Sequence, residues 1–581
     1  MATSLQLLTN KNLETLSDGL VSGKVNAADL VKSLSKSNVV KEIRSANPPA
    51  EVIATTSGEA SKLVAKFAPV EFKNFLSVAN QLSPSTDVLL TSSKRVAATP
   101  IFPIFPKPIH VILGTPDDDV LIGKDTHDYI FGFAGDDILL GEGGKDFLFG
   151  GTGDDILIGG EGNDVLFGED GDDILINDVG SDILIGGAGN DYFFVLDPNG
   201  SSVLNGGSGF DTADYTFVDQ AITLKATGIV TKGVGFGTDQ LVQVENIIAT
   251  SSLNDWIDAS DATSPTSVTV DLSANSLIVN NVPGLGTANF TVNEFENVRG
   301  TAQNDKITGN SANNIINAGA GDDILVGSKG NDILNGEAGN DTADYSNLGQ
   351  TIVLGPTGTV TKAGGFFGTD QLNSIETITA SNLLGDTIDA STATGMTSIT
   401  ANLAINNLIV NNVPGLGTLN LTVNNFENVT GTAQDDIIIG NASNNTLIGG
   451  AGNDFLSGGA GNDNLIGGIG VDVLVGGAGS DRFTFLNPSE GVDIIVDFVS
   501  NFDKIAVSAA GFGGGLAQGA LLGTQFVLGA AATNANHRFI YSNAIGALFF
   551  DIDGNGAAAQ QQIASISSFP ALTSNDILVT A

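Results

Sequence analysis

The residues whose type and spacing could do chemistry are aspartates that recur every nine positions. They form three series, in which asparagine replaces aspartate twice: Asp119, Asp128, Asp137, Asp146, Asp155, Asp164, Asp173, Asp182 and Asp191; Asp305, Asn314, Asp323, Asp332 and Asp341; Asp436, Asn445, Asp454, Asp463, Asp472 and Asp481. Carboxylates and backbone carbonyls are hard oxygen ligands that suit calcium, whereas softer metals prefer His or Cys. The chain has three His and no Cys. The chemistry available to these series is therefore calcium binding.

The repeated unit reads Gly-Gly-x-Gly-x-Asp-x-apolar-x, as in Gly150-Gly-Thr-Gly-Asp-Asp155-Ile-Leu-Ile. Clustered glycines accept positive φ and close backbone approach, which marks a tight turn. The apolar triplet that follows is long enough only for a short strand. Two repeats then make one coil of a parallel β-roll, and stacked coils bury their apolar residues in a continuous core. A flexible Gly/Asp-rich linker is the alternative, but a linker has no reason to keep an apolar residue in fixed register.

These repeats resemble the RTX, or hemolysin-type, calcium-binding nonapeptide family. The resemblance implies that all eighteen aspartates of the three series are side-chain ligands of Ca²⁺. It also implies that carbonyls of the glycine-rich turns complete each ion's shell between neighbouring turns. Asn314 and Asn445 lose the charge, while Lys124 and Lys145 bring a cation into the turns, so ion sites beside these positions are expected to be weak or empty.

The charge distribution leads to the same ion. The formal net charge is −42, but residues 1–98 hold 11 Lys/Arg against 8 Asp/Glu, while the rest of the chain holds 12 against 57. Such an acidic chain makes nucleic acid an improbable partner. Like charges in adjacent turns oppose compaction unless cations intervene. We therefore expect the arrays to be disordered without calcium and to fold at ~0.1–1 mM, the range of extracellular modules.

Three features of the sequence bear on cellular location, which we expect to be extracellular, secreted or cell-surface associated. Cysteine is absent, which fits an exported protein without disulfides. The first residues have neither a basic leader nor a long apolar run, so a cleaved signal peptide is not expected. No apolar stretch is long enough to span a membrane.

The N-terminal part differs from the rest of the chain. Residues 1–98 show helical spacing of apolar residues, for example at Leu13, Leu16 and Leu20. They predict either a small helical bundle that packs its own core or a docking head. The proline-rich run that follows predicts a stiff, extended linker.

Two long segments of the chain repeat with an offset of 131 residues. The motif Phe236-Gly-Thr-Asp-Gln-Leu241 returns as Phe367 to Leu372, and Asn280 to Thr287 returns as Asn411 to Thr418. A β-rich insert followed by an array is therefore duplicated, and the insert strands are expected to continue the stack. The repeated Asn-Asn-Val-Pro-Gly-Leu-Gly-Thr segment is read as a turn rather than a ligand site.

The predicted fold is mostly β. It is a parallel β-roll solenoid in several stacked arrays, with β-rich inserts, a small α-helical N-terminal domain and a β-rich C-terminal cap. Its parts are a helical head (1–98), a proline-rich linker (99–110), a first array (111–215), a first insert (216–299), a second array (300–346), a second insert (347–430), a third array (431–482) and a C-terminal region (483–581).

The C-terminal region contains Val492-Asp-Ile-Ile-Val-Asp-Phe498 and Ala547-Leu-Phe-Phe-Asp-Ile-Asp-Gly-Asn-Gly556. With these segments it resembles the C-terminal region of serralysin-type RTX proteins. That resemblance implies a cap on the roll and an uncleaved signal for the type I secretion machinery. Within this region, Asp551-Ile-Asp553-Gly-Asn-Gly is compatible with either another calcium loop or a plain turn.

The favoured function is that of a secreted, calcium-binding structural protein. No His-Glu-x-x-His, Gly-x-Ser-x-Gly or cysteine nucleophile is present, so an enzyme is not expected. The architecture resembles surface-layer, filament or gliding-associated surface proteins of the RTX class, whose partners would be cell-surface polysaccharide or further copies of the chain. The alternative is a secreted calcium-dependent hydrolase, protease-like or lipase-like, with an unrecognised site.

Overall fold

The computed structural model describes residues 86–90, 109–284 and 286–581. It divides into two compact units, Met1–Thr301 and Ala302–Ala581. Most of the predicted helical head and linker lies outside the described residues. The described part of the head, Thr86–Leu90, is a strand rather than a helix, and it pairs in parallel with Ile109–Leu113. A sheet edge presents unpaired backbone groups, and pairing with them overrides a weak local helical pattern.

The first array folds as two parallel sheets that face each other across a coil. One sheet contains Thr86–Leu90, Ile109–Leu113, Asp128–Ala134, Phe147–Thr152, Val165–Asp170, Ile183–Ala188 and Val203–Ser208. The other contains Val120–Lys124, Ile138–Gly144, Ile156–Ile158, Glu161–Gly162, Ile174–Asn177, Tyr192–Val195 and Thr212–Asp214. Paired residues are 18 apart within the regular repeats, as in Tyr129 with Phe147 and Ile138 with Ile156, and 20 apart at the last strand of each sheet. Two nine-residue repeats therefore make one coil, as predicted.

The core lies between the two sheets and is built from the residue two positions after each aspartate. In one sheet these residues are Leu121, Leu139, Leu157 and Leu175, and in the other they are Ile130, Leu148, Leu166 and Leu184; each is at most 2% exposed. Side chains alternate between the two faces of a strand, so a fixed Asp-to-apolar spacing sends every such residue inward. This alternation explains why the repeat keeps its register.

Aromatic residues form a stack on the same strands. Phe131, Phe149 and Phe167 have ring centroids 4.7 and 4.9 Å apart, with interplanar angles of 3° and 5°. Their neighbours Ile130, Leu148 and Leu166 point into the core, so the aromatic rings lie on the opposite face. Parallel in-register strands bring identical positions together, which is why the rings stack.

The first insert continues both sheets and adds antiparallel excursions. Its strands are Thr223–Lys225, Ile229–Thr231, Thr238–Val242, Asn246–Ile248, Trp256–Asp258, Ser267–Asp271, Ser276–Val282, Gly286–Asn293 and Asn297–Arg299. Thr238–Val242 and Asn246–Ile248 pair in parallel with the last strands of the array. Ser267–Asp271, Ser276–Val282 and Gly286–Asn293 form an antiparallel meander. The Pro-Gly segment makes the second hairpin turn of this meander.

The second unit repeats this arrangement with the second array and second insert. The array strands are Lys306–Thr308, Ile315–Ala320, Ile324–Val326, Ile333–Ala338 and Thr342–Asp344. The insert strands are Ile352–Leu354, Thr359–Lys362, Thr369–Asn373, Thr377–Thr379, Thr387–Asp389, Ser398–Asn402, Asn407–Val413, Gly417–Asn424 and Asn428–Thr430. Most insert strands match a first-insert strand 131 residues earlier, for example Ser398–Asn402 and Ser267–Asp271.

The third array and the C-terminal region complete the second unit. The array strands are Ile437–Ile439, Thr446–Ala451, Phe455–Ala460, Asn464–Ile469, Val473–Ala478 and Arg482–Phe485. The C-terminal strands are Asp493–Ile495, Lys504–Ser508, Gly519–Ala520, Phe526–Leu528, Phe539–Ser542, Ala547–Phe550, Gln561–Ile566 and Ile577–Thr580. One short helix, Ala509–Phe512, and 3₁₀ turns at Ala363–Gly365, Leu403–Ile405, Gly523–Gln525 and Ser574–Asp576 are also present.

These observations confirm the predicted fold class for the described residues. The arrays are parallel β-rolls, and the inserts extend their sheets. Within the described ranges, no helix is both long and apolar enough to cross a membrane.

Candidate metal sites

The repeated aspartates lie in columns, each one coil from the next. The Asp155 Oδ1 atom accepts a hydrogen bond of 2.7 Å from the Asp137 backbone N–H, and the Asp155 N–H donates one of 2.8 Å to Asp173 Oδ1. The same bond between residues 18 apart is accepted by Asp137, Asp146, Asp164, Asp182, Asp191, Asp323, Asp332, Asp341, Asp454, Asp463, Asp472 and Asp481. One carboxylate oxygen of each thus fixes the spacing of successive coils.

The second carboxylate oxygen is buried and has no hydrogen-bond partner at most of these positions. These Oδ2 atoms belong to Asp137, Asp146, Asp155, Asp164, Asp173, Asp182, Asp191, Asp323, Asp341, Asp454, Asp463, Asp472 and Asp481. A buried, unpaired carboxylate oxygen is costly, and such charges are normally paired or bound to a metal. The columns therefore present a row of buried oxygens to which a cation could bind.

A backbone carbonyl approaches the unpaired oxygen at several of these positions. A Cβ atom added to Gly150 would lie 2.8 Å from the Gly168 carbonyl oxygen and closer still to Asp155 Oδ2. The same pair of atoms converges at Gly132, where the Gly150 oxygen is 2.6 Å away, and at Gly449, where the Gly467 oxygen is 2.5 Å away. The two oxygens are thus at most ~5 Å apart, a span that one calcium ion with Ca–O distances of about 2.3–2.6 Å covers. Any side chain at the first glycine would fill this space.

The electrostatics of the columns also indicate a need for a cation. Burial raises the pKa of Asp155 to about 9, against an ordinary value of 3.8. The hydrogen bond from Asp137 N–H lowers this pKa, and the carboxylates of Asp173 and Asp137 raise it. Burial likewise raises the pKa of Asp137, Asp146 and Asp173 to about 8. A carboxylate that resists ionisation becomes a stable anion when a divalent ion sits beside it.

Side chains alone do not complete a metal site. Among the described residues, no three His, Cys, Asp or Glu side chains converge as a metal-binding group. The remaining ligands must therefore be backbone carbonyls such as that of Gly168, which are the donors calcium accepts readily. This donor set of one carboxylate with turn carbonyls fits calcium and does not suit softer metals.

Comparison with known families decides what these repeats are. A family model described as the RTX calcium-binding nonapeptide repeat (four copies) matches residues 113–148, 140–175, 149–184, 178–195, 293–325, 318–345, 425–456 and 448–483. The three arrays are RTX calcium-binding repeats. The resemblance drawn from the nonapeptide pattern is confirmed, and the chain carries calcium-binding motifs in all three arrays.

Solved structures and curated proteins add little to this assignment. The crystal structure of the extracellular lipase LipA from Serratia marcescens is 18% identical, with 60% of this chain and 45% of the lipase chain covered, at a TM-score of 0.18. The chain thus spans less than half of the lipase, and a TM-score this low carries no argument about it. The comparison with curated proteins gave no match.

The RTX aspartates that open the first and third arrays are satisfied without an ion. Asp119 Oδ2 accepts a bond of 2.6 Å from Thr115 N–H, and Asp128 Oδ2 accepts one of 2.6 Å from Lys124 N–H. Asp436 Oδ2 accepts one of 2.6 Å from Thr432 N–H. These three were also predicted as ligands, but their second oxygens point back into their own turns. Asp305 lies at the equivalent position of the second array and is buried.

The two asparagines of the RTX arrays form hydrogen bonds through their amide nitrogens. Asn445 Nδ2 donates to the Glu427 carbonyl at 2.7 Å and to Asn441 Oδ1 at 3.1 Å. Asn314 Nδ2 donates to Asn310 Oδ1 at 3.0 Å. The prediction of weak or empty ion sites at these positions rests on the loss of negative charge. At Asp164, burial raises the pKa of the carboxyl group, and the positive charge of Lys145 lowers it.

Some RTX-like positions were missing from the predicted ligands. Asp211 Oδ1 accepts a bond of 2.8 Å from Asp191 N–H, and its Oδ2 is buried without a partner. The motif Gly206-Gly-Ser-Gly-Phe-Asp211 was a sufficient signal for it. Asp493 and Asp503 accept from Asp472 and Asp481 N–H, 21 and 22 residues earlier. Their loops break the nine-residue period, so spacing alone could not locate them.

The raised pKa values predict that acid partly replaces calcium. A carboxyl group whose pKa is higher in the folded state favours folding when protonated. Its contribution is full below about pH 4 and is lost as pH rises through the folded values of about 6 to 9. Protein freed of metal by dialysis should therefore show more β-structure by circular dichroism at pH 3 than at pH 8. A metal-free fold that is instead lost on acidification would contradict this, with light scattering used to exclude aggregation near the pI of 4.1.

Proposed function

We propose that this protein is a secreted, non-catalytic calcium-binding RTX protein with a structural role at a cell surface. The observation that carries the proposal is the column of buried carboxylates, each with one oxygen bonded to the preceding coil and one oxygen unpartnered. Calcium would bind between coils, so the ions hold the fold rather than act on a substrate. Free calcium in the cytoplasm is far below the ~0.1–1 mM at which the arrays are expected to fold, so the acidic chain would remain extended until export.

The histidines support a non-catalytic role. His110 Nδ1 lies 2.9 Å from Asp128 Oδ1, in the first coil of the first array. His537 Nε2 lies 2.8 Å from Asn534 Nδ2, in a C-terminal loop. His127 is exposed within a turn of the array. Each side chain is thus explained by local packing or by a turn, which argues against a general base for hydrolysis.

The proposed route of export is the type I secretion machinery, with its signal in residues 483–581. In the second unit this region ends the roll: Ile577–Thr580 pairs in parallel with Lys504–Ser508, and Gln561–Ile566 pairs with Asp493–Ile495. The deeply buried aromatic rings of Phe512, Phe539 and Phe550 pack together there. This arrangement supports the proposal that the region caps the array. Cell-surface polysaccharide and further copies of the chain are the partners we propose.

Cell fractionation tests the surface role. Cells that produce the protein should retain it at the surface in millimolar calcium and release it when a chelator is added. The deletion of residues 1–85, which keeps the paired strand Thr86–Leu90, should abolish attachment while calcium-driven folding of the secreted chain persists. Protein found free in the medium at all calcium concentrations would indicate a soluble enzyme or binder instead. Protein retained inside cells after deletion of residues 483–581 would support the proposed export signal.

A further inference from the structure

In the part of the chain that the structure describes, two lysine side chains are fully buried, one in each insert. Lys232 and Lys362 both have 0% exposed side chains. The Lys362 ammonium contacts three oxygens: the Ser328 carbonyl at 2.7 Å, Asp332 Oδ2 at 3.2 Å, and Asp370 Oδ1. Asp332 is an RTX aspartate of the second array, and Asp370 belongs to the coil that follows it. The donor set around this ammonium is therefore that of the calcium sites, namely carboxylates of successive coils and a turn carbonyl.

The hydrogen bonds around this ammonium leave no carboxylate oxygen unpaired. Asp332 Oδ1 accepts from Asn314 N–H at 2.9 Å, and Asp370 Oδ1 accepts from Asp332 N–H at 3.0 Å, so the column continues through this coil. Asp370 Oδ2 accepts from the Tyr345 hydroxyl at 2.8 Å. The adjacent aspartates of the same array, Asp323 and Asp341, keep an unpartnered Oδ2. Of Asp323, Asp332 and Asp341, only Asp332 therefore has both carboxylate oxygens paired by groups of the protein itself.

The space beside the first glycine of this repeat is also filled. At Gly150, an added Cβ would meet the Asp155 carboxylate and a carbonyl oxygen. At Gly327, the equivalent glycine of the Asp332 repeat, it would meet ring carbons of Tyr345 instead. The ring is fully buried. The Tyr345 ring therefore occupies the region where carboxylate and carbonyl oxygens converge in a regular repeat.

The first insert has the same device in a simpler form. Lys232 Nζ lies 2.8 Å from Asp239 Oδ1, which also accepts from Ser202 N–H at 3.0 Å. Ser202 stands where the second array has Asp332, so one carboxylate here faces one ammonium. The first insert therefore has a buried lysine, Lys232, although serine replaces the array aspartate. The contact that the two inserts share is the one between the lysine and the aspartate of the following coil.

We propose that Lys362 is a built-in substitute for a calcium ion between the coils of Asp332 and Asp370. The junction of the second array with the second insert then needs no metal, and Asp332 is not a calcium ligand although it keeps the nine-residue spacing and two glycines of its repeat, Gly327 and Gly330. An ammonium that makes three short contacts offsets the burial of two carboxylates only because further hydrogen bonds satisfy their other oxygens. The inference rests on the proposed role of calcium in the arrays, since a substitute presupposes the ion.

Calcium stoichiometry of the full-length chain tests the substitution. The Lys362→Ala/Tyr345→Ala variant removes both the ammonium and the ring that fills the neighbouring space, so it should bind one more calcium ion per chain than the unmodified protein in equilibrium dialysis. The control Lys306→Ala removes the same charge from an exposed position of the same unit and should leave the stoichiometry unchanged. A folded double variant that binds the same number of ions as the unmodified protein would overturn the proposal.

A crystal of the unmodified, calcium-loaded chain gives a test that does not depend on the variant folding. Anomalous scattering should place ions beside Asp155 and Asp454 but none between Asp332 and Asp370. An ion between Asp332 and Asp370, with the arrays also occupied, would overturn this inference alone. Arrays that bind no ion would overturn both this inference and the proposed function.

Discussion

Removal of calcium is expected to abolish most of the β-structure of the full-length chain at neutral pH. Structure should return cooperatively as calcium rises to ~0.1–1 mM. The reason is the set of buried carboxylates that a metal-free fold would have to ionise or protonate, several of which have pKa values of about 7 to 9. The Asp155 carboxylate also faces the like charges of Asp137 and Asp173 in the neighbouring coils. The loss summed over the three arrays exceeds the marginal stability of a folded domain.

Circular dichroism during a calcium titration measures this effect directly. Magnesium is the matched control, because it demands near-octahedral geometry and dehydrates reluctantly. The same concentration of magnesium should therefore restore little structure. An ordered β-signal that persists at pH 7.5 in excess chelator would falsify the calcium-dependent fold. Equal recovery of β-structure with calcium and with magnesium, as expected if only ionic strength mattered, would also count against it.

The substitution Asp155→Asn should have opposite effects with and without calcium. In saturating calcium it removes a charged ligand from the middle of the first array, and binding at the ion sites it contacts should weaken by at least ~10-fold. In metal-free buffer it removes a carboxyl group whose pKa is raised to about 9 by burial, so the residual β-structure should be unchanged or higher. Asn445 shows how the amide is accommodated, since its Nδ2 donates to a carbonyl at 2.7 Å.

The reversal of sign separates a metal ligand from a purely structural residue. If Asp155 served only to accept the hydrogen bond from Asp137 N–H, the amide oxygen of asparagine would preserve that role under both conditions. The control Asp170→Asn removes the same charge from an exposed side chain and should shift the calcium midpoint little. Thermal unfolding in calcium, together with the residual β-signal by circular dichroism in chelator, gives the comparison for both variants. An equal loss of structure caused by Asp155→Asn in both buffers would exclude Asp155 as a ligand.

Much of the array structure was predictable because it follows from one spacing. The step from Asp155 to Leu157 repeats at every coil, and side-chain alternation then fixes which residue is buried. The nine-residue period likewise implied two repeats per coil. The antiparallel meanders of the inserts could not be derived in this way, because alternating apolar residues do not reveal whether the next strand turns back or continues the coil.

The details of the sites depended on contacts that the sequence does not display. Asp332 and Asp454 both stand in the nine-residue series and both follow Gly-Asn, but only Asp332 meets a lysine from 30 residues further along the chain. A lysine beside glycines reads as an exposed turn residue, and Lys362 is instead fully buried. Asp119 also keeps the nine-residue spacing, yet the N–H of Thr115, which stands in place of the second glycine, satisfies its second oxygen. Equal spacing therefore did not guarantee an equal environment.

The bond between residues 18 apart determines how this protein can change in length. Because Asp137 is held by Asp155 and Asp155 by Asp173, excision of one full 18-residue period joins equivalent positions and preserves every remaining partner. Excision of nine residues would instead move each downstream strand to the opposite sheet of the roll. Gene rearrangements that shorten or extend an array should accordingly be tolerated in steps of two repeats, and single-repeat changes should be tolerated only next to an insert, where the period is already broken.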